Sequence, residues 1–479
     1  MTDIFAKPEL DRRTLLRRAG AVGLLATPAV GMLAACAGGS DDTTQKQSKG
    51  TVSADNPLGI DPKTGIEILI FDGGLGTKYS TDVDTPLYTK KWPDSKVTFQ
   101  STQTVSTVVK PRLNAGTPPD MVNNSGSDLM DFGAIVNAGQ ASELTDLFAA
   151  PSLDIPGKKV SETLVPGAIE IGSYSGKPYA VNYSFTIYGL WYNKVLWASK
   201  GWTPPTTWAD FTALCDKIKA AGITPFGFAG ANASYYMVRA ILTSAVKIGT
   251  EQVTKDIDNL KAGAWQNPAV MQAAQAWGQI GAKYIDKSFL GLKHTQVQLQ
   301  QDQNKLAMYP CGSWLENEMA ADTPKTGYEY AVMPIPSVTT SDQLPATAIN
   351  AAAGEIYFAP SKAKNPQGGK EYLRTMLSKE AAKGFTDLTK SLTVVQGATE
   401  GLTLSPGLTS ANDMLTKAGK DVFVGYLFDT WYKPLDDASR DAANELMFKG
   451  GDAKKFCDTM ETASQKVAKD SSVTKFPRS

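Results

Sequence analysis

The sequence predicts an α/β protein made of two packed units. Three observations lead there: the chain is 479 residues long, a strand and helix alternation runs through its first third and starts again beyond residue 180, and no short tandem repeat interrupts the pattern. One domain takes roughly 100–200 residues, so this length asks for at least two cores. Hydrophobic residues at 42% supply those cores, and charged residues at 20% are too few for a disordered chain.

Residues 66–71 (IEILIF) are a short apolar run stopped by Asp72-Gly73-Gly74, as a buried strand is when it opens into a loop. Residues 96–100 (KVTFQ) read as a second strand and 106–113 as a helix. The breaker Gly116-Thr117-Pro118-Pro119-Asp120 then precedes a strand at Met121-Val122 and the polar loop 123–126. This order predicts a mostly parallel sheet flanked by helices, with ligands bound beyond the carboxyl ends of the strands, where Asp72 and the 123–126 loop lie. In the second half, 189–193 reads as a strand, Thr207 to Asp210 opens a helix with apolar face Phe211, Leu214 and Ile218, and 224–228 is a strand followed by helices over 235–247 and 268–284. Strands at 306–309, 328–336 and 355–358 and helices over 366–388 complete this unit.

Composition narrows the chemistry. Lys+Arg and Asp+Glu both number 48 and the body of the chain carries no basic cluster, which argues against a nucleic-acid partner. His294 is the one histidine; it excludes multi-His metal centres, and it reads as a surface or capping residue. No GxSxG, HExxH or phosphate loop occurs, and acidic pairs such as Asp436-Asp437 sit in polar helical stretches. A non-catalytic protein without metal or cofactor is the expectation; a secreted glycosidase with two carboxyls about 5–10 Å apart is the alternative from another class.

At the N-terminus, Arg12 and Arg13 precede Leu15-Leu16 and Arg17, and residues 19–35 carry no charge before Cys36. A charged region, an apolar region and a small-residue cleavage site thus follow in order. Residues 1–35 resemble a bacterial twin-arginine signal peptide, and Leu33-Ala34-Ala35-Cys36 resembles a lipobox whose cysteine becomes the lipidated first residue, anchoring the exported protein to the outer face of the cell membrane. A membrane span is the alternative, opposed by the four Gly or Pro residues between Gly20 and Gly31. Residues 36–56 read as a flexible tether reaching about 25 Å. Of the remaining cysteines, Cys215 and Cys457 both fall in helical patterns and are the favoured disulfide among three possible pairings that include Cys311; buried free thiols are the alternative.

The pieces GTPPD at 116–120, WYNK at 191–194, PPTTWADF at 204–211 and NKLAMYPCGSWLEN at 304–317 resemble, in order and spacing, the extracellular solute-binding proteins of ABC importers, of the maltose-binding type. More narrowly, NPLG at 56–59, GTPPDMVNNSG at 116–126, NYSFTIYGLWYNK at 182–194, GSWLENE at 312–318 and GLTLSPGL at 401–408 resemble the actinobacterial lipoproteins that bind N-acetylglucosamine and its dimer, chitobiose. The resemblance implies a two-lobed periplasmic-binding-protein-like fold (type II) with the ligand cleft between the lobes. Crossings are expected near 181–186, 333–340 and 393–398, making lobe one 60–182 plus 340–394 and lobe two 185–333 plus 397–479. It also implies a sugar ligand, ABC permease subunits as partners and a monomer.

A neutral sugar needs aromatic platforms and planar hydrogen-bonding groups. By resemblance Trp314 takes the place of a stacking tryptophan, and Trp431 with Tyr432 matches a second stacking region; core packing is the alternative for Trp314. Asn232, Tyr235 and Tyr236 belong to a loop where the family presents cleft residues, although relatives carry bulkier basic residues there. On lobe one, Asp72 suits a pair of hydroxyls, and Asn123, Asn124 and Ser125 suit an acetamide, since an Asn side chain both donates and accepts; a loop cap or turn is the alternative. Tyr183, Ser184 and Thr186 lie at the first crossing and are expected to face the cleft. Glu316 or Asn317 is expected to reach the sugar, with a helix-start acid as the other reading of Glu316. Maltose, cellobiose and xylobiose are the alternative ligands.

Overall fold

Two long strands carry the chain between the two halves of its main sheet. The structure, a computed structural model, describes residues 47–165 and 167–478. Arg12, Arg13, Cys36 and the first part of the expected tether lie outside the described residues. The strands are β1 (Ile66–Phe71), β2 (Val97–Thr102), β3 (Met121–Asn124), a hairpin of β4 (Ser173–Tyr174) and β5 (Lys177–Pro178), β6 (Val181–Asn193), β7 (Thr224–Phe226), β8 (Leu306–Gly312), β9 (Tyr330–Met333), β10 (Ile349–Phe358), β11 (Leu392–Thr393) and β12 (Val422–Phe423).

The main sheet runs in the order β2-β1-β3-β10-β6-β8-β7, with β9 and β11 added on β6 and β12 on β10. Only the ladders of β1 with β2 and β3, β7 with β8, and β10 with β12 are parallel. β10 runs antiparallel to β3 and β6, and β6 is antiparallel to β8, β9 and β11, so the middle of the sheet corrects the mostly parallel expectation. The reason is connectivity: β6 and β10 serve both halves. Val181 to Ile187 pair with β10, whereas Tyr188 to Asn193 pair with β8 and β9. One half thus forms lobe one and the other lobe two, the two-lobed type II arrangement, each sheet flanked by helices.

Several sequence signals turn out to be joints of this frame. Asp120 of the GTPPD run accepts from the Glu67 and Asn365 amides (2.7 and 2.5 Å), pinning β1 to the start of helix Pro366–Met376. Gly116 ends helix Val105–Ala115 with φ 72°, a left-handed conformation that favours glycine. Thr207 accepts from the Asp210 amide and caps helix Trp208–Ala220, and Asn193 caps Lys194–Lys200 through the Val195 amide. The strand at 355–358 is longer than its sequence signal, beginning at Ile349.

Packing moves two of the expected crossings. The Leu344 amide donates to the Lys247 carbonyl, Ala348 packs with Val246 and Phe423, and Ile349 pairs with Val422, so residues 344–350 sit on lobe two rather than lobe one. Val394, Val395 and Ala398 belong to the lobe-one core and the Gln396 amide donates to Thr163, whereas Ser405 already bonds Glu316 of lobe two. The last part of the expected tether is also corrected: Gln47 donates to Ser361, the Ser48 amide to Lys364, and Asn56 bonds both the amide and the carbonyl of Ile60. Cys215 and Cys457 are separate buried thiols, as is Cys311, and burial raises all three above the ordinary thiol range.

Lys247, buried on helix Tyr235–Gly249, donates to the Ile335 and Ala346 carbonyls (2.5 and 2.8 Å) and so staples the segment that leads into β10. Desolvation brings its ammonium down to about 8. An unfolded lysine keeps its proton until about pH 10.4. Between those values the unfolded chain binds more protons than the folded one, so stability rises with pH. The melting temperature of the parent, followed from about pH 7.5 to 9.5, is expected to climb relative to that of Lys247→Met; parallel curves contradict the assignment.

Candidate functional site

Outside the shared strands the lobes touch at two places among the described residues, and aromatic and polar side chains gather near the first. At the first, the lobe-one loop after β1 touches lobe two: Asn317 Nδ2 donates to the Gly74 carbonyl at 2.6 Å. A Cβ on Gly74 would stand 3.1 Å from both Glu318 Oε1 and Trp314 Cδ1, a tight fit that leaves no room for a larger side chain without a shift. At the second, Phe476 packs edge-on against Tyr174 (4.9 Å) and beside Trp431 (5.8 Å), with helix Phe132–Asn137 alongside. Behind the first contact Glu318 is held by Gln298 (2.7 Å) and by His294 Nε2 (3.2 Å), and His294 in turn is clamped by Asn232 through its amide and Nδ1.

Lobe two offers an aromatic wall. Trp314 meets Tyr188 edge-on (5.7 Å) and Tyr236 at a tilt (5.9 Å), and Tyr235 contacts Tyr236 at 4.3 Å. Next to them Arg239 is sandwiched between Tyr188 and Tyr426, its guanidinium 4.4 and 4.6 Å from the ring centres, and is paired with Asp429 at 2.7 Å. Arg440, paired with Asp436, lies over Tyr235 at 4.9 Å. Both cations are weakly hydrated guanidiniums, which is why they tolerate a dry aromatic setting. On lobe one, Phe71 is held between Gly73 and Gly126, where any Cβ would fall within 2.3 Å of the ring. Ser184 and Thr186 both lie beside Gly354, and Glu355 follows.

The expected site residues divide. Tyr235 and Trp314 are both in aromatic contact with Tyr236 on lobe two, and Ser184 and Thr186 flank Gly354 on lobe one. Asp72 is exposed at the end of β1, with only its backbone amide engaged, to Thr102. Asn123 spends its carbonyl oxygen on the Phe71 amide and its amide on Ser125 Oγ (2.9 Å) and Glu355 (3.3 Å). Asn124 donates to the Met130 carbonyl and accepts from its amide, so it closes the loop instead of standing free as the acetamide partner expected of it. Tyr183 does not face the cleft: strand alternation turns it into the lobe-one core, where its hydroxyl donates to Met376 O (2.8 Å). Glu316 is corrected likewise, since its carboxylate accepts from Ser405 and the Gly407 and Leu408 amides and so caps helix Pro406–Ala418. Trp431 is buried beside Phe476, and Tyr432 is buried and accepts from the Phe476 amide (3.0 Å), so neither ring is an open platform. Asn232 is tied to His294, which starts helix His294–Asp302 rather than standing free.

Four residues escaped the sequence reading: Tyr188, Arg239, Tyr426 and Glu355. Arg239 had a signal, as the one charge in the apolar stretch YYMVRAILTSAV, but its partners lie 51 residues before it and 187 after it in the chain. Glu355 had none beyond its place after Gly354.

An aromatic wall on one lobe and polar groups on the other are what a ligand cleft is built from, and comparison with known proteins gives the family. Residues 75–383 match the family described as bacterial extracellular solute-binding protein. The chain belongs to that family. This solute-binding protein is 36% identical over 476 residues to the diacetylchitobiose binding protein NgcE of Streptomyces coelicolor, covering 97% of this chain and 98% of the relative. It is 23% identical over 329 residues to the multiple sugar-binding protein of Streptococcus mutans, covering 64% and 70%. Among solved structures it shares the fold of a chitin oligosaccharide binding protein (TM-score 0.68, 17% identity, 84% of this chain and 98% of that one). A sugar transporter from Arthrobacter chlorophenolicus with bound laminaribiose gives TM-score 0.66 at 17% identity, covering 85% and 100%.

Because Gly74 sits against Trp314 and Glu318, a branched side chain there must part the lobes of the solute-binding protein. Gly74→Val is expected to increase the radius of gyration measured by solution X-ray scattering, with an unchanged circular dichroism spectrum; an unchanged radius contradicts the contact.

Proposed function

We propose that this protein is the extracellular binding component of an ABC sugar importer, taking chitobiose or N-acetylglucosamine in the interlobe cleft and presenting it to the permease. The observation that carries the reading is similarity over nearly the whole chain to a diacetylchitobiose binding protein. The cleft supports it: Trp314, Tyr188 and Tyr235 offer flat faces for the CH-rich sides of a pyranose, and Ser184, Thr186 and Glu355 offer hydrogen-bonding groups on the other lobe. Ligand bound by both lobes favours the arrangement in which they touch, by as much as its affinity for that state exceeds that for the open one. Crossings within β6, near 344–354 and at 401–405 would serve as hinges.

No catalytic role is assigned. Glycoside hydrolysis needs two cooperating carboxyls, and Asp429 and Asp436 are each paired with an arginine while Glu316 caps a helix. The N-terminal sequence supports export through a twin-arginine signal at Arg12 and Arg13 and lipidation at Cys36, which would anchor the protein to the outer face of the cell membrane; a monomer that works with permease subunits fits the family. No helix among the described residues is long and apolar enough to cross a membrane.

Calorimetric titration of residues 47–479 with N-acetylglucosamine, chitobiose, maltose, cellobiose and xylobiose tests the reading. Micromolar or tighter binding confined to the N-acetylated sugars is expected; binding of only the others overturns the ligand and leaves the receptor. Trp314→Ala is expected to weaken the sugar about tenfold or more, the loss of one stacking face.

A further inference from the structure

Six non-glycine residues among those described have a positive φ. Ser175, Thr250, Leu260, Asn304 and Lys390 lie in a hairpin turn or just after helices, where such a backbone is common. Glu355 alone lies inside a strand, at φ 56°. Its neighbours hold register without a gap, Gly354 opposite Ser184 and Ile356 opposite Asn182, so the left-handed residue inserts nothing into the ladder. It turns one side chain out of the strand's alternation. Gly354 precedes it; a glycine at 355 would meet the same backbone without the Cβ penalty.

The side chain so turned is a carboxylate. Asn123 Nδ2 lies 3.3 Å from Oε2, and no Lys, Arg or His of the described residues pairs with it. Burial raises its pKa above the usual carboxylate range, offset in part by Ser125 and Asn123. Ile356, Tyr357 and Phe358 are buried, yet Glu355 keeps part of its surface open, at the point where β10 passes from pairing with β12 of lobe two to pairing with β3 of lobe one. Of the nearby asparagines, Asn124 accepts from the Met130 amide and Asn123 from the Phe71 amide, so each carbonyl oxygen is already engaged once.

We infer that Glu355 is the lobe-one carboxylate that accepts hydrogen bonds from the bound sugar, oriented by Asn123 and Ser125 and maintained against local backbone strain. The inference rests on the reading of the cleft as a sugar site. Strain of this kind persists where function requires it, and it yields an unusual pattern: relieving it should stabilise the fold while removing the ligand.

The test compares Glu355→Gly and Glu355→Gln with the parent by thermal melting without sugar and by titration with the five-sugar panel. Glu355→Gly is expected to melt at or above the parent and to lose at least about thirtyfold in affinity for whichever sugar the parent binds. Glu355→Gln, which keeps length and backbone, is expected to lose at least about tenfold with little change in melting. A glycine variant that melts lower, or that binds within threefold of the parent, overturns the assignment. If the parent takes only a non-acetylated sugar, the chitobiose reading fails and Glu355 is judged by the same ratios on that sugar; a parent that binds none of the panel overturns both.

Discussion

The ladder between β6 and β10 is the constraint on which the structure depends. Ala351 to Tyr357 lie antiparallel to Val181 to Ile187, and both strands continue across the boundary between the lobes. Backbone hydrogen bonds therefore fix the two sheets to a common spine, while the lobe surfaces stay separate enough to meet only at chosen contacts. Several of the groups near the lobe contact take their position from this spine. Ser184 and Thr186 come from β6, Glu355 from β10, Tyr188 from the next turn of β6, and Trp314 from the end of β8, which is paired to β6 through Gly312.

On this spine the two lobes supply different chemistry. Lobe two brings rings and paired guanidiniums: Trp314, Tyr188, Tyr235 and Tyr426, with Arg239 neutralised by Asp429 and Arg440 by Asp436. The net charge of that wall is small although it contains four ionic groups, which suits a polar but uncharged ligand. Lobe one brings acceptors and a short glycine-rich loop that can approach closely. Contact between Gly74 and the Trp314 to Glu318 turn shows how little room the closing surfaces leave.

The sequence revealed the frame better than the site, and the residues explain why. Asp120, Asn193 and Thr207, which stand in the runs that resemble the family, are capping and joining groups. Their roles are local, so spacing alone exposes them. Asn124, Glu316 and Tyr432 had the right chemistry for a sugar but had already committed their hydrogen bonds to Met130, to a helix start and to the Phe476 amide. Residue type gives the capacity for hydrogen bonds; only the fold shows what capacity remains. Arg239 illustrates the converse, since its setting depends on Tyr188 and Tyr426 from distant segments. Glu355 is a consequence of one backbone angle that no pattern of side chains announces.

On the proposed function, ligand sits between both lobes and is gripped by each. Hydrogen exchange of residues 47–479 with and without saturating chitobiose tests it most directly. Added protection is expected at once in the 72–76 and 354–356 segments of lobe one and in the 188–191 and 312–318 segments of lobe two. Protection confined to one lobe, or located away from these four segments, would contradict it.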